Sequence, residues 1–229
     1  MTSASQSNSA RSESFARQER EALAGLLLSQ GPSAPTLCEG WQTRDMAVHL
    51  YLREHRPDAA AGMFLPPVKS HLECVTSTLE KRPYEELVEG FRQGPPKWNP
   101  IRLADSFVNL SENFIHHEDV RRGGGERVAP RELPAEMRAE LWRVVQQASR
   151  VMVRADGVQV VFEAVDATPD SSAASPERHI CGAKQGDEVR ISGPVGELLL
   201  WVFGREDAAE VEISEDKPGA QKRISRRSI

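Results

Sequence analysis

The chain is expected to fold as an α+β protein: a helical bundle followed by a small mixed unit. Apolar residues recur at three- and four-residue intervals through about the first 150 positions, which is the helical period. Beyond that point the pattern changes to short β-branched runs, Val158–Val165 and Val189–Ile191. With 229 residues, 39% of them apolar and 28% charged, the chain has room for one large domain or two modest ones. It can build a core without disulfides.

The elements follow in order. Residues 1–12 are polar and Ser-rich, lack the apolar stretch of a secretory signal, and read as a flexible arm. Phe15, Ala22, Leu23, Leu26 and Leu27 line one face of a helix from Ser14 that Gly31-Pro32 stops. Thr43 reads as the N-cap of a second helix with Met46, Val48, Leu50 and Leu52, carrying His49 near its middle and ending around Pro57. A third helix follows Pro66-Pro67 and runs to about Glu80, with Val68, Leu72, Val75 and Leu79 on one side. A short helix from Pro83 to Phe91 precedes the break at Gly94-Pro95-Pro96.

The next helix begins near Ile101, buries Leu103, Phe107, Leu110, Phe114 and Ile115, and is ended by Gly123-Gly124-Gly125. The last bundle helix, Pro134 to Val151, has Leu141, Val144, Val145, Ala148 and Met152 in register. Then come the strand Val158–Val165, a polar loop Thr168–Glu177, the strand Val189–Ile191, a helical run Val195–Phe203 and a short strand Val211–Ile213. The chain thus divides into an arm (1–12), a bundle (13–152), a small α+β domain (153–214) and a tail (215–229). The tail carries Lys217, Lys222, Arg223, Arg226 and Arg227 and reads as solvated and disordered.

Composition narrows the function. A net charge of −5 and a pI near 5.8 lack the basic footprint of a nucleic-acid binder. No apolar stretch approaches the roughly 18 residues that span a bilayer. Cys38, Cys74 and Cys181 are odd in number, widely spaced and without a C-x-x-C pattern, so they read as free thiols of a reducing, cytoplasmic compartment.

The chemistry concentrates in Glu112-Asn113-Phe114-Ile115-His116. Four residues is just over one helical turn, so carboxylate and imidazole leave the same helix face. Such a pair either chelates a divalent metal with ligands from other helices or forms a buried ion pair. His49, on the second helix, is able to face the bundle interior, and His49, Glu112 and His116 together make a His2Glu set. That set suits Zn²⁺ and other divalent first-row metals with a fourth position open.

The remaining histidines read otherwise. His55 and His179 are expected at the surface and His71 in core or surface, while His117 is turned about 100° from His116 and sits off the metal face. Asp119 either pairs with Arg122 or orients a ligand imidazole, and Asp45 either does the same or complements the helix dipole. Cys38 reads as a small buried hydrophobe and Trp41 as packing where the second helix begins, or walling the ligand cleft. Arg205 either contacts a carboxylate of substrate or cofactor or complements a helix C-terminus.

The segment Thr36–Leu50, with Gly40-Trp41 followed by the His49 helix, resembles a signature of actinobacterial mycothiol-dependent maleylpyruvate isomerase-like proteins, within the DinB-like metal-binding superfamily. Glu112–Arg122 is similar to that family's second motif, Glu-x3-His followed by Asp and Arg, and Gly193–Arg205 to the helix of its small C-terminal domain. The resemblance covers roughly residues 14–214. It implies a four-helix bundle with a crossover, then a sterol-carrier-like α+β domain, with His49, Glu112 and His116 as ligands of a divalent metal, zinc in the first instance.

It further implies that a low-molecular-weight thiol, mycothiol, approaches the open metal position in the cleft between the domains and acts on a small electrophilic substrate. A metal-bound thiol is presented as thiolate. For an isomerase that thiolate adds to an activated double bond, allows rotation and leaves. Arg205 is the expected catalytic residue, and the chain is expected as monomer or homodimer. The alternative is a non-catalytic metal or small-ligand binding protein with a regulatory role.

Overall fold

The computed structural model describes residues 2–63, 65–96, 99, 106–165 and 176–226. Helices and strands are both present, so the α+β expectation holds at that level. The chain separates into two compact units, Met1–Val128 and Ala129–Ile229.

The described part of the first unit is helical: α1 (Thr2–Gln30), α2 (Thr43–His55), α3 (Pro57–Ala60), α4 (Lys69–Leu79), α5 (Tyr84–Gln93) and α6 (Ser106–Arg121). Helix α1 does not begin at Ser14; it spans the stretch read as an arm, which holds no Gly or Pro to break it. Leu23 and Leu27 of α1, Met46 and Leu50 of α2, and Leu87 and Phe91 of α5 are fully buried in one cluster. Burying a Leu- or Phe-sized side chain contributes about 1.5–3 kcal/mol, so this apolar seam is what holds the helices in register. Helix α1 lies along α6, and Asn113 reaches back to donate to the Ala16 carbonyl at 3.0 Å.

The second unit contains α7 (Ala135–Met152), β1 (Val153–Ala155), β2 (Val158–Ala164), β3 (Glu177–Gly182), β4 (Asp187–Gly193), α8 (Val195–Val202), β5 (Glu212–Glu215) and β6 (Ile224–Arg226). Four strands form a sheet in the order β3-β2-β4-β5, antiparallel except for the parallel pair β2–β4. Strand β2 is buried along nearly its whole length, with β3 on one side of it and β4 on the other. Phe162 of β2 meets Trp201 of α8 edge-on at 5.7 Å, and α8 and α7 pack together.

Three expectations change here. Helix α7 belongs with the sheet, contacting α8, β1 and β3, so the division falls at 128/129 rather than 152/153. An amphipathic stripe states that a face is buried, not against which partner. The tail read as disordered is ordered as far as Arg226: Glu215 ends β5, and Ile224–Arg226 forms β6, antiparallel to β1 with Ala155 opposite Ile224. Lys217 and Arg223 pair with Asp187, and the Arg226 guanidinium lies 4.0 Å over the Trp201 ring. Strand β3, inside the stretch between the expected strands, pairs along β2 from Gln159↔Gly182 to Ala164↔Glu177. The expected helix start at Ile101 with Leu103, the loop residues from Thr168 to 175, and Arg227 lie outside the described residues, as does the Phe107 side chain.

Candidate metal centre

The loop before α2 sets the first donor. Gly40 adopts φ +74°, a left-handed conformation that glycine takes without steric cost, and the chain doubles back so that Trp41 N–H donates to the Cys38 carbonyl at 2.9 Å. Gln42, not Thr43, is the N-cap: its N–H donates to the Asp45 carboxylate at 2.8 Å, which closes a capping box. Asp45 therefore serves the helix start. The Thr43 hydroxyl instead ties α2 to the end of α1 by donating to the Gly31 carbonyl.

The same loop is fastened to α6. Leu37 N–H donates to the Asp119 carbonyl at 2.9 Å. Gly123 allows the approach, since a Cβ there would stand 2.1 Å from the Pro35 carbonyl oxygen.

Helices α2 and α6 thereby bring His49, Glu112 and His116 together, with one donor atom from each lying within 4.8 Å of the others. The His49 and His116 rings meet edge to face at 5.1 Å, and the Trp41 ring lies 5.4 Å from that of His49. His116 Nε2 is 3.4 Å from Glu112 Oε2, while its Nδ1 is 3.0 Å from Asp119 Oδ2. His116 is buried, whereas Glu112 keeps 30% of its side chain exposed.

The electrostatics suit a cation. Burial, with help from the His116 charge, pushes the His49 imidazole down to about 3, so it is neutral and its lone pair is free. Burial works to raise Glu112, but the hydrogen bond with His116 and the Arg53 charge win and bring it to about 2, so it is ionised. Metal coordination demands those two states. His116 is held well above the usual imidazole value: burial opposes its charge, but hydrogen bonds with Asp119, Cys38 and Glu112 outweigh it. A carboxylate on the far nitrogen of a ligand imidazole fixes its tautomer and orientation, and Asp119, fully buried, stands in that place toward His116. The residues present fit a divalent metal.

Sequence reasoning missed Cys38. Its Sγ is 3.4 Å from Asp119 Oδ2, and Cys38, His116 and Asp119 form a second donor group. No neighbour in sequence announces this, because 81 positions separate the two residues. The only local signal was the corner that Gly40-Trp41 makes beside it.

Arg122 pairs with buried Glu118 at 2.6 Å rather than with Asp119. His117 faces α1, with Nδ1 3.0 Å from Glu19, off the metal face as expected. His71 is exposed against Asp58, and His55 stacks on Tyr51 at 4.2 Å. His179, expected at the surface, is buried with Nε2 3.1 Å from the Ser149 hydroxyl, because β3 lies against α7. Arg205 lies in the second unit just beyond α8, where its Nη1 donates to the Phe203 carbonyl at 2.7 Å. That is the arrangement of a side chain complementing a helix C-terminus.

Comparison of the chain with protein-family models, with curated proteins and with solved structures finds no match.

Proposed function

We propose that this chain is a divalent-metal-binding protein of the mycothiol-dependent maleylpyruvate isomerase-like, DinB-like kind. On this reading it is a thiol-dependent isomerase or transferase for a small electrophile. The observation that carries the metal reading is the convergence of His49, Glu112 and His116 within 4.8 Å, with Asp119 behind His116. The donor types favour zinc. When bound, such a cation lowers the pKa of a coordinated thiol and presents it as thiolate.

The fold part of the proposal reads the first unit as a DinB-like four-helix bundle and the second as a sterol-carrier-like domain. The packing of α1 on α5 and α6 and of α2 on α5 supports the former. The four-stranded sheet with α8 following β4 supports the latter. Arg205 keeps its proposed role toward a substrate carboxylate only if it releases the Phe203 carbonyl.

A second reading, a binding protein without turnover, has its own support. Among the described residues at the centre, Glu112 is committed as a ligand and Asp119 to His116, which leaves no carboxylate for general acid–base work.

Elemental analysis of the purified protein tests the metal: His49→Ala, Glu112→Ala and His116→Ala should each lose most of it while remaining folded. Full occupancy in all three refutes the site. Turnover of electrophiles with added mycothiol then separates enzyme from binder, since thiol binding without consumption favours the second reading.

A further inference from the structure

Cys38, His116 and Asp119 form a donor group of their own, with one ligating atom of each within 4.8 Å of the others. Asp119 Oδ2 is 3.0 Å from His116 Nδ1 and 3.4 Å from Cys38 Sγ. Around a tetrahedral zinc, bonds of about 2.0 Å to nitrogen and oxygen and about 2.3 Å to sulfur set N···O about 3.3 Å apart and S···O about 3.5 Å apart. The three side chains therefore stand almost at coordinating separations already. Imidazole, thiolate and carboxylate are all zinc ligands, and the sulfur favours thiophilic cations over magnesium or calcium.

The backbone holds this set in place. Cys38 N–H donates to Thr36 Oγ1 at 3.2 Å and its carbonyl accepts from Trp41 N–H at 2.9 Å, so the thiol sits on a tied turn. One residue earlier, Leu37 N–H donates to the Asp119 carbonyl at 2.9 Å and clamps that turn to α6. His116 and Asp119 are three apart on α6 and share a helix side. What separates the set from His49, Glu112 and His116 is the ring nitrogen it uses. Glu112 Oε2 lies 3.4 Å from His116 Nε2, whereas Asp119 lies against Nδ1. The lone pairs of the two ring nitrogens diverge, so cations on the two sides do not compete for one of them. Asp119 is fully buried, while Cys38 keeps partial exposure.

We propose that Cys38, His116 Nδ1 and Asp119 form a second cation site, for a thiophilic divalent ion of the zinc class, that staples the loop before α2 to α6. Binding replaces the Cys38 Sγ–H proton, and the His116 Nδ1–H proton where Nε2 already holds a metal, by bonds to the cation; the protons pass to solvent. The site goes beyond the His49–Glu112–His116 reading, shares only His116 with it and needs no donor from α2. In the intact protein it fills second, because its cation displaces the hydrogen bonds that Asp119 accepts.

The test titrates the full chain with Co²⁺ in oxygen-free buffer, because a cobalt–thiolate bond adds a near-ultraviolet charge-transfer band that nitrogen and oxygen ligands do not give. Wild type should bind two equivalents, the band growing with the second. Cys38→Ser should lose the band and keep one equivalent, with circular dichroism confirming the fold. The double variant His49→Ala/Glu112→Ala should keep one equivalent with the band, since neither residue belongs to the set. Zinc beyond the first equivalent should raise the wild-type melting temperature and leave that of Cys38→Ser unmoved. The proposal is overturned by a wild type without the band, by a band that persists in Cys38→Ser, or by added zinc that leaves wild-type melting where it was. It is overturned equally by a band lost in the double variant, which would give Cys38 to the cation on His49 and Glu112. By contrast, a single wild-type equivalent that carries the band and survives in the double variant refutes the His49–Glu112–His116 reading and leaves this site standing.

Discussion

Asp119→Asn separates a working metal centre from a chance cluster. Asp119 is fully buried, and its Oδ2 receives the His116 Nδ1 at 3.0 Å and the Cys38 Sγ at 3.4 Å. Asparagine keeps the volume and offers a neutral acceptor, so the charge on the hydrogen bond is lost. Charged hydrogen bonds contribute about 1.5–3 kcal/mol against about 1 for neutral ones, a difference near 1–2 kcal/mol. At about 1.4 kcal/mol per tenfold, that is roughly five- to thirtyfold in metal affinity, within the 10–100-fold range common for such partners.

A second effect runs the other way. Asp119 also helps hold a proton on metal-free His116, and that proton competes with the metal. Removing Asp119 lowers the competition, which partly masks the loss near neutrality. Raising the pH strips the proton from wild type as well and exposes the full deficit. Zinc affinity should therefore be measured against a chromophoric chelator at about pH 7 and about pH 9, with circular dichroism to check the fold. The Asp119→Asn deficit should widen with pH. A variant that binds zinc as tightly as wild type at the higher pH refutes the role given to Asp119.

Metal binding near neutral pH should release about one proton, from His116, because its metal-free pKa is raised; calorimetry in buffers of different ionisation enthalpy reads this number, and zero release contradicts it. Gly123→Ala should destabilise the first unit and weaken zinc binding, since its Cβ would meet the Pro35 carbonyl at 2.1 Å and push the Cys38 loop from α6; thermal melting and the chelator assay both report it. Burial, reinforced by Arg150, lowers the His179 pKa. The unfolded chain therefore binds more protons below about pH 6.5, and stability falls as the pH drops from there toward the lowered folded value. His179→Gln should flatten that part of the melting-temperature profile, and an unchanged slope counts against it. Phe91→Ala, in the fully buried seam of the first unit, should cost about 3–5 kcal/mol in denaturant melts.

Much of the candidate centre was legible before any fold. The spacing of Glu112 and His116 puts both side chains on one helix face whatever the rest of the chain does, because helical geometry is local. The stripes of α4, α5 and α8 and the break at Gly94 were legible for the same reason. What lay outside reach were facts about partners. Cys38 and Asp119 meet only because the Gly40 turn and the space at Gly123 bring a loop onto α6. Arg53 reads as one charge among Arg53-Glu54-His55-Arg56 until α6 brings Asn109 and Glu112 against it.

The same holds for the second unit. A run of lysines and arginines reads as solvated, and Ile224–Arg226 becomes a strand only because β1 offers it a free edge and Asp187 balances its charge. By itself the sequence determined which faces are apolar, where helices stop, and that a carboxylate and an imidazole share a turn. The tertiary structure decided against what each face packs, including α7 against the sheet, and which polar groups stand behind the candidate ligands. Periodicity and capping act over a few residues, whereas burial and hydrogen-bond satisfaction join residues from any part of the chain.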